Sequence, residues 1–357
     1  MDTASSRAIA HVNSAWAIPQ LQSALAAAID GSGPALGVGE IHSTAIPADE
    51  RFSRSALVVA TSGSTGKSKE VAISGAALLA SARATHSFLG ASHGDRWSLL
   101  LPTTHIAGMN VITRSLDLRS EIVDVNAQAD FTAIVPTQLH RALHGDTRLL
   151  EHLSAAKAIL VGGAPLSSEL RAHAIDAGLK IVTTYGMSES CGGCVYNGAP
   201  LEGVEIAIIE GRVAIKGPIL ADGYLNNNEP FLHDGWFITS DLGTLDAGRL
   251  MITGRADDVI ISGGEKISLS TVTQFLNAEF ATQEFIAFAI PDNEWGERLA
   301  IASNKEMNES ELRSALKSHY GAHLSPKLLC VIPELPKTSL GKPDSKKLRE
   351  IFGRLRS

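Results

Sequence analysis

The chain has 357 residues, 44% of them hydrophobic, and a formal net charge of −7. That length exceeds what one compact core usually holds and predicts two domains, while the acidic balance, with no Lys/Arg-rich run to offset it, argues against a nucleic-acid backbone as partner. Cys191, Cys194 and Cys330 are too few for a disulfide framework, and neither a basic-then-apolar leader nor an apolar run of membrane-spanning length occurs; small-molecule partners in a reducing cytoplasm are expected, with no nucleic acid and no membrane.

Residues 1–49 read as a lead-in without recognisable chemistry, with a helix around 21–29 closed by Asp30-Gly31-Ser32-Gly33-Pro34. Behind the apolar run 56–60 comes TSGSTGKSKE, residues 61–70. Glycines there let successive backbone N–H groups converge on an anion, and hydroxyl and ammonium groups add donors and charge. The segment predicts a phosphate-binding loop and a nucleotide as first ligand. A P-loop of the G-x-x-x-x-G-K-[ST] type is excluded, because Thr61 stands where its first glycine belongs. The plain alternative is a solvated Gly/Ser turn between a strand and a helix.

From residue 54 to about 203, apolar runs at 57–60, 97–101, 133–136, 158–161 and 180–183 alternate with helix-like segments. This is the pattern of a mostly parallel α/β sheet, whose strand C-termini should line a crevice. Between 205 and 251 the turn signals Glu210-Gly211, Asp222-Gly223, Asp234-Gly235 and Ala247-Gly248 predict antiparallel hairpins in a β-rich subdomain. The lone C-x-x-C at Cys191–Cys194 reads as small residues in a Gly-rich turn, since a zinc site wants a second pair. Beyond Arg255 come a glycine pair, an amphipathic helix near 269–280, strands at 284–290 and 299–303 and a helix at 310–320, a second domain of ordinary size. The predicted fold class is α/β: a large N-terminal α/β domain with its β-rich subdomain over residues 1–256, and a small α+β C-terminal domain over 257–357.

After the phosphate loop follow LPTTHIAGMN (101–110), VGGAPL (161–166), TTYGMSE (183–189), TSDLG (239–243), GRADDVIISGGEKI (254–267) and PKTSLGKPD (336–344). In this order and spacing they resemble the acyl-adenylate-forming superfamily of acyl- and aryl-CoA ligases, luciferases and peptide-synthetase adenylation domains, from about residue 55 to about residue 350. The resemblance implies an enzyme using ATP, Mg²⁺ and, as co-substrate, CoA. A carboxylate attacks the α-phosphate of ATP, and a thiol then displaces AMP. It also implies a mobile C-terminal domain. The stretch before the phosphate loop is much shorter than the superfamily commonly has, which removes any basis for inferring an oligomeric state by analogy.

Carried onto matching positions, the resemblance gives Thr61, Ser62, Gly63, Ser64, Thr65, Gly66 and Lys67 to the β- and γ-phosphates. Gly162, Gly163, Ala164, Thr184, Tyr185, Gly186 and Met187 fall to the nucleotide, with Tyr185 against adenine, and Ser188 to the α-phosphate. Glu189 matches the magnesium-associated glutamate, and Lys342 the lysine bridging carboxylate and α-phosphate. Asp241 would accept the ribose hydroxyls, and Arg255 bind ribose or phosphate oxygens. His105 would position or gate the acyl substrate, since a carboxylate nucleophile needs no general base. Asp257 would be the hinge, and Gly263 and Gly264 would line the pantetheine tunnel. Plainer readings stay open: Lys342 as one of several solvated lysines, Tyr185 as a core residue, Asp241 and Arg255 as a structural ion pair, and the glycine pair as a β-turn.

Within the superfamily, LPTTHIAGMNVITRSL, IVPTQL and YGMSESCGGCVYNGAPLEGV look most like the short bacterial 2-succinylbenzoate–CoA ligases of the menaquinone pathway. That resemblance implies a basic residue for the substrate's second carboxylate at Arg114, with Ser190, Gly192 and Gly193 shaping the aromatic end of the pocket. A bidentate Arg suits that anchoring. Alternatively Arg114 caps a helix or pairs with Asp117 or Glu121. Another aryl- or acyl-CoA ligase, a stand-alone adenylation domain, or a nucleotide-binding regulator that has lost turnover are the competing functions.

Overall fold

The computed structural model describes residues 6–13, 15–61, 68–227, 230–262, 265–280, 282–292, 296–321, 324, 326, 328–336 and 344–355. Ser62, Gly63, Ser64, Thr65, Gly66, Lys67, Gly263, Gly264 and Lys342 lie outside the described residues. Contacts divide the chain into two units: Met1–Ala207, Ala214–Ile238 and Leu245–Leu250 in one, Ile208–Val213, Thr239–Thr244 and Met251–Ser357 in the other.

In the first unit the N-terminal stretch is not a lead-in. Arg7–His11 (β1), Ile18–Asp30 (α1) and Ala35–Val38 (β2) form a βαβ unit with β1 and β2 parallel, and Ala45–Ile46 (β3) pairs antiparallel with β1. Helix α1 stops where Gly31 adopts a left-handed φ of 83°. The β2 residues ALGV are buried throughout, so they carry no alternation to read as a strand. Ser55–Thr61 (β4) and Lys69–Ser74 (β5) pair antiparallel with Thr61 opposite Lys69. Residues 61–67 therefore come between two antiparallel strands, and not between a strand and a helix. Gly75–Leu89 (α2) follows directly.

Next come Trp97–Ser98 (β6), Ile106–Leu118 (α3), Ile122–Val123 (β7), Phe131–Ile134 (β8), Pro136–Leu143 (α4), Thr147–Ala155 (α5), Ala158–Val161 (β9), Ser168–Asp176 (α6) and Ile181–Met187 (β10). Strands β6, β8, β9 and β10 run parallel, as the alternating pattern predicted, and Gly192–Tyr196 (β11) and Ala199–Pro200 (β12) extend the sheet antiparallel. Its order is β12-β11-β10-β9-β8-β6-β7.

The β-rich region holds Glu205–Ile209 (β13), Arg212–Lys216 (β14), Gly223–Tyr224 (β15), Phe237–Asp246 (β16) and Arg249–Arg255 (β17), with β13-β14-β16-β17 in one sheet. Glu210-Gly211 and Ala247-Gly248 are tight turns with positive φ at both residues, 51° and 77°, then 46° and 76°. Asp222-Gly223 is not a hairpin turn: β15 pairs with β5 at the edge of the first sheet, whose order is β15-β5-β4-β2-β1-β3.

The second unit continues with Val259–Ser262 (β18), Glu265–Ser268 (β19), Leu269–Glu279 (α7), Phe285–Asp292 (β20), Gly296–Ser303 (β21), Glu309–Tyr320 (α8), Leu328–Val331 (β22) and Ser345–Leu355 (α9). In β20, Phe285, Ala287 and Ala289 pack with Leu276 of α7 and Leu316 of α8, while Ile286, Phe288 and Ile290 pack with Leu348 and Phe352 of α9. Burial on both faces explains the unbroken apolar run FIAFAI. Among the described residues no helix is long and apolar enough to cross a membrane.

Candidate active site

Parallel pairing aligns the C-terminal ends of β8, β9 and β10, the edge where an α/β sheet opens a crevice. The Gly162 N–H donates to the Ile134 carbonyl at 3.2 Å, and a Cβ on Gly162 would stand 2.2 Å from Thr184 Oγ1. The Gly162-Gly163-Ala164 turn thus lies against β10 beside Tyr185, and Gly163 takes a φ of 82° that favours glycine. Tyr185 is half-buried rather than enclosed; the enclosed tyrosine is Tyr196.

After Met187 the chain makes a 3₁₀ turn, Ser188–Ser190, stabilised by buried Ser190, whose Oγ accepts from Met187 N–H at 3.0 Å and donates to the Gly192 carbonyl at 2.9 Å. Glu189 stands on this turn. Its Oε1 accepts from the Tyr224 hydroxyl at 2.9 Å and its carbonyl from Ala221 N–H at 2.9 Å. Lys69 Nζ sits 4.6 Å from the Tyr224 ring centroid, and Asn226 accepts from Glu70 N–H at 3.0 Å while donating to the Ser68 carbonyl at 2.9 Å. The segment 221–226 therefore ties Glu189 to Ser68 and Glu70 at the start of β5. Tyr224 and Asn226 escaped the sequence reading, their only local signal being an Asp-Gly pair that suggests a turn.

His105 is the N-cap residue of α3, extended at φ −132° and ψ 156°, and its side chain does not cap the helix. Two turns further on, Asn110 and Arg114, spaced i and i+4, face β11. Asn110 Nδ2 donates to the Cys191 carbonyl at 2.6 Å. A Cβ on Gly192 would meet that Nδ2 at 2.5 Å, and one on Gly193 would meet the Tyr196 ring at 3.0 Å. Gly192 admits the close approach of α3, and Gly193 makes room for the Tyr196 ring and for Thr184 of β10.

Arg114 is 4% exposed. Its Nη2 donates to the Tyr196 hydroxyl at 3.3 Å, its Cζ lies 4.9 Å from the Trp97 ring centroid, and its Nε is buried without a hydrogen-bond partner among the described residues. Asp117 pairs instead with Arg83 at 3.2 Å and His86 at 2.9 Å. Among the described residues no carboxylate comes within ion-pair distance of Arg114, and its mid-helix position excludes capping, so both plain alternatives for this residue fail. His105 stands nine positions earlier, roughly 13 Å back along the axis at 1.5 Å per residue. Helical side chains lean toward the N-terminus, which shortens that separation.

Cys191 and Cys194 are free and buried. Burial pushes both thiols up, Cys194 to about 12, which leaves them protonated and unreactive. Among the described residues no group of His, Cys, Asp or Glu is arranged to hold a metal ion.

In the second unit, buried Asp241 accepts from Arg255 Nη1 at 2.9 Å, and Arg255 grips Asp257 through Nε at 2.8 Å and Nη2 at 2.7 Å. Hydrogen bonding to Asp257 is the main cause raising the Arg255 pKa, with Asp241 adding to it. Asp241 and Arg255 do form an ion pair with each other, and Asp257 lies in the 3₁₀ turn Ala256–Asp258.

A sequence model described as AMP-binding enzyme matches residues 13–225. The chain belongs to the AMP-binding enzyme family. A protein named probable 2-succinylbenzoate–CoA ligase from Mycobacterium tuberculosis strain H37Rv is 36% identical to it over 369 aligned residues, spanning 94% of this chain and 95% of the relative. A 2-succinylbenzoate–CoA ligase from Listeria monocytogenes is 28% identical, with 84% of this chain and 70% of the relative covered. Among solved structures, the O-succinylbenzoate coenzyme A synthetase MenE from Bacillus subtilis, in complex with AMP, superposes with a TM-score of 0.73 at 27% identity, covering 83% of this chain and 69% of that one. ATP-bound MatB from Rhodopseudomonas palustris shares the fold, with a TM-score of 0.76 at 22% identity and 97% and 84% of the two chains covered.

The imidazoles of this AMP-binding enzyme make its stability pH-dependent. Burial holds His86, His105 and His152 below their ordinary value of 6.5. For His86 the nearby Arg114 charge adds in the same direction, against the Asp117 hydrogen bond. The unfolded chain then binds protons more readily than the folded one, so stability is full above the unfolded value and falls as pH drops toward the folded values. Urea denaturation should give a lower midpoint at pH 5 than at pH 7.5; a midpoint that rose on acidification would refute this.

Proposed function

We propose that this AMP-binding enzyme is a cytoplasmic, ATP-dependent 2-succinylbenzoate–CoA ligase, yielding 2-succinylbenzoyl-CoA, AMP and pyrophosphate for menaquinone synthesis. The match to the mycobacterial protein of that name along 94% of this chain and 95% of the relative carries the reading. Buried Arg114 agrees with it, because a dicarboxylate needs one carboxylate free to react and the other anchored.

In the first step a substrate carboxylate oxygen attacks the α-phosphorus of ATP and the bond to pyrophosphate breaks. The 61–67 loop and Lys342 supply donors and positive charge where phosphate charge accumulates. Tyr185 and the Gly162-Gly163-Ala164 turn flank adenine, Ser188 donates to the α-phosphate, and Asp241 and Arg255 bind ribose. In the second step the CoA sulfur bonds to the acyl carbon, the acyl–AMP oxygen bond breaks and the thiol proton is released. The C-terminal domain turns about Asp257 between the steps, and Gly263 and Gly264 border the thiol's approach.

Glu189 fits a Mg²⁺ ion shared with substrate phosphates. It is a single half-buried carboxylate with no metal-binding cluster among the described residues, which suits a cation that keeps substrate and water oxygens. When bound, that ion neutralises phosphate charge. Tyr224 fixes one oxygen of the carboxylate, so Tyr224→Phe should raise the Mg²⁺ concentration for half-maximal turnover by about tenfold and leave the rate at saturating Mg²⁺ within about twofold. An unchanged Mg²⁺ titration would remove Tyr224 from this role.

The reading is tested by acid-dependent ATP–pyrophosphate exchange with 2-succinylbenzoate, benzoate, a fatty acid and amino acids, followed by addition of CoA. Exchange with 2-succinylbenzoate alone, and thioester on adding CoA, is the expected result. Exchange with another acid would keep adenylation and replace the substrate, and silence across the panel would overturn the enzyme assignment.

A further inference from the structure

Arg114 carries a charge deep in the protein, and what holds it there is neutral. Tyr196 is fully buried, its hydroxyl accepts from Arg114 Nη2 at 3.3 Å, and the same hydroxyl lies 3.0 Å from Thr85 Oγ1. Thr85 Oγ1 in turn lies 2.9 Å from the Ser81 carbonyl. A carbonyl only accepts, so the Thr85 hydrogen goes to Ser81, the Tyr196 hydrogen goes to Thr85, and the phenol oxygen is left to accept from the guanidinium. The direction of the whole chain, Arg114 to Tyr196 to Thr85 to the α2 backbone, is thus fixed at its far end. Trp97 closes one face of the guanidinium at 4.9 Å. This Tyr196 bond is the only hydrogen bond Arg114 makes to a described residue; its Nε is sealed from solvent, so the donors left without a described partner at the guanidinium tip are the ones that suit an anion.

We propose that Tyr196 is a positioning residue for substrate choice: through the relay to Thr85 and Ser81 it aims the Arg114 guanidinium at the ring carboxylate of an aromatic dicarboxylate. This rests on the reading of Arg114 given above. Tyr196 does not touch the reacting carboxylate, so its loss acts on recognition and not on the chemical step.

The test compares the full chain with Tyr196→Phe, Thr85→Val and Arg114→Ala, measuring kcat and KM for 2-succinylbenzoate, for 4-oxo-4-phenylbutanoate, which lacks the ring carboxylate, and for ATP. Tyr196→Phe is expected to raise KM for 2-succinylbenzoate about tenfold, with kcat within about twofold and with the ATP and monocarboxylate constants unchanged. Thr85→Val, one link further out, should shift the same KM in the same direction by less. A rise shared equally by both acids, or no rise in either variant, would overturn the proposal. If Arg114→Ala selectively loses the dicarboxylate while Tyr196→Phe and Thr85→Val are silent, only this inference falls. If Arg114→Ala weakens both acids alike, the reading beneath it falls too.

Discussion

Replacing Arg114 with alanine is expected to weaken 2-succinylbenzoate and leave the fold intact. A desolvated charge pair with the substrate's second carboxylate contributes roughly 2 to 4 kcal/mol, so KM for that acid should rise about 30- to 1,000-fold, with a much smaller change for a monocarboxylate. Folding stability should not follow. In the free enzyme Arg114 is 4% exposed and meets no carboxylate among the described residues. Removing it relieves the burial of a charge that only the Tyr196 hydroxyl and the Trp97 face offset, while leaving a cavity, and these terms oppose each other. Arg114→Met, which refills the cavity without the charge, should therefore be at least as stable as the parent in urea and equally poor with the dicarboxylate. On the proposed anchoring role, a buried cation that gains its partner only when substrate arrives would exchange stability for function. If Arg114→Met were strongly destabilised, the guanidinium would be a structural element and the anchoring role would be lost.

Where a function constrains the local backbone, the sequence was legible. The glycines at 162 and 163 and the turn at 188–190 are local devices, and the strands and helices around them follow from apolar runs of ordinary length. Other features were hidden, for different reasons. The N-terminal βαβ unit was hidden because β2 is a short, wholly buried run without alternation, indistinguishable by pattern from any small-residue segment. The residues supporting the site were hidden by distance along the chain: Tyr224 reaches Glu189 across 35 positions and Tyr196 reaches Arg114 across 82. No local pattern marks a tyrosine as the partner of a group that far away. Arg114 itself could be picked out, but its isolation from Asp117 could not, because His86 and Arg83 of α2 claim that carboxylate.

Gly186 joins these local and distant elements, and Gly186→Ala should be the most damaging single methyl group in the first unit's site. Its Cβ would lie 1.9 Å from the Gly192 carbonyl oxygen, 2.7 Å from that carbon and 2.8 Å from Gly193 Cα. All three are backbone atoms, so no side-chain rotation relieves the overlap, and β10 and β11 must separate where their register already shifts between Tyr185 and Gly186. Separation would pull Gly192 from Ser190 Oγ, loosening the turn that carries Glu189, and displace β11 together with Tyr196. Overpacking against fixed backbone should cost at least about 3 kcal/mol, lowering the urea midpoint, and nucleotide binding should weaken with it. Gly178→Ala supplies the comparison: its left-handed φ of 76° also disfavours alanine, but no described atom lies within 4 Å of the added Cβ, so it should lose only about 1 kcal/mol and keep full activity. Equal losses in the two variants would mean that backbone strain alone decides these positions, and that the close contact of β10 with β11 does not organise the site.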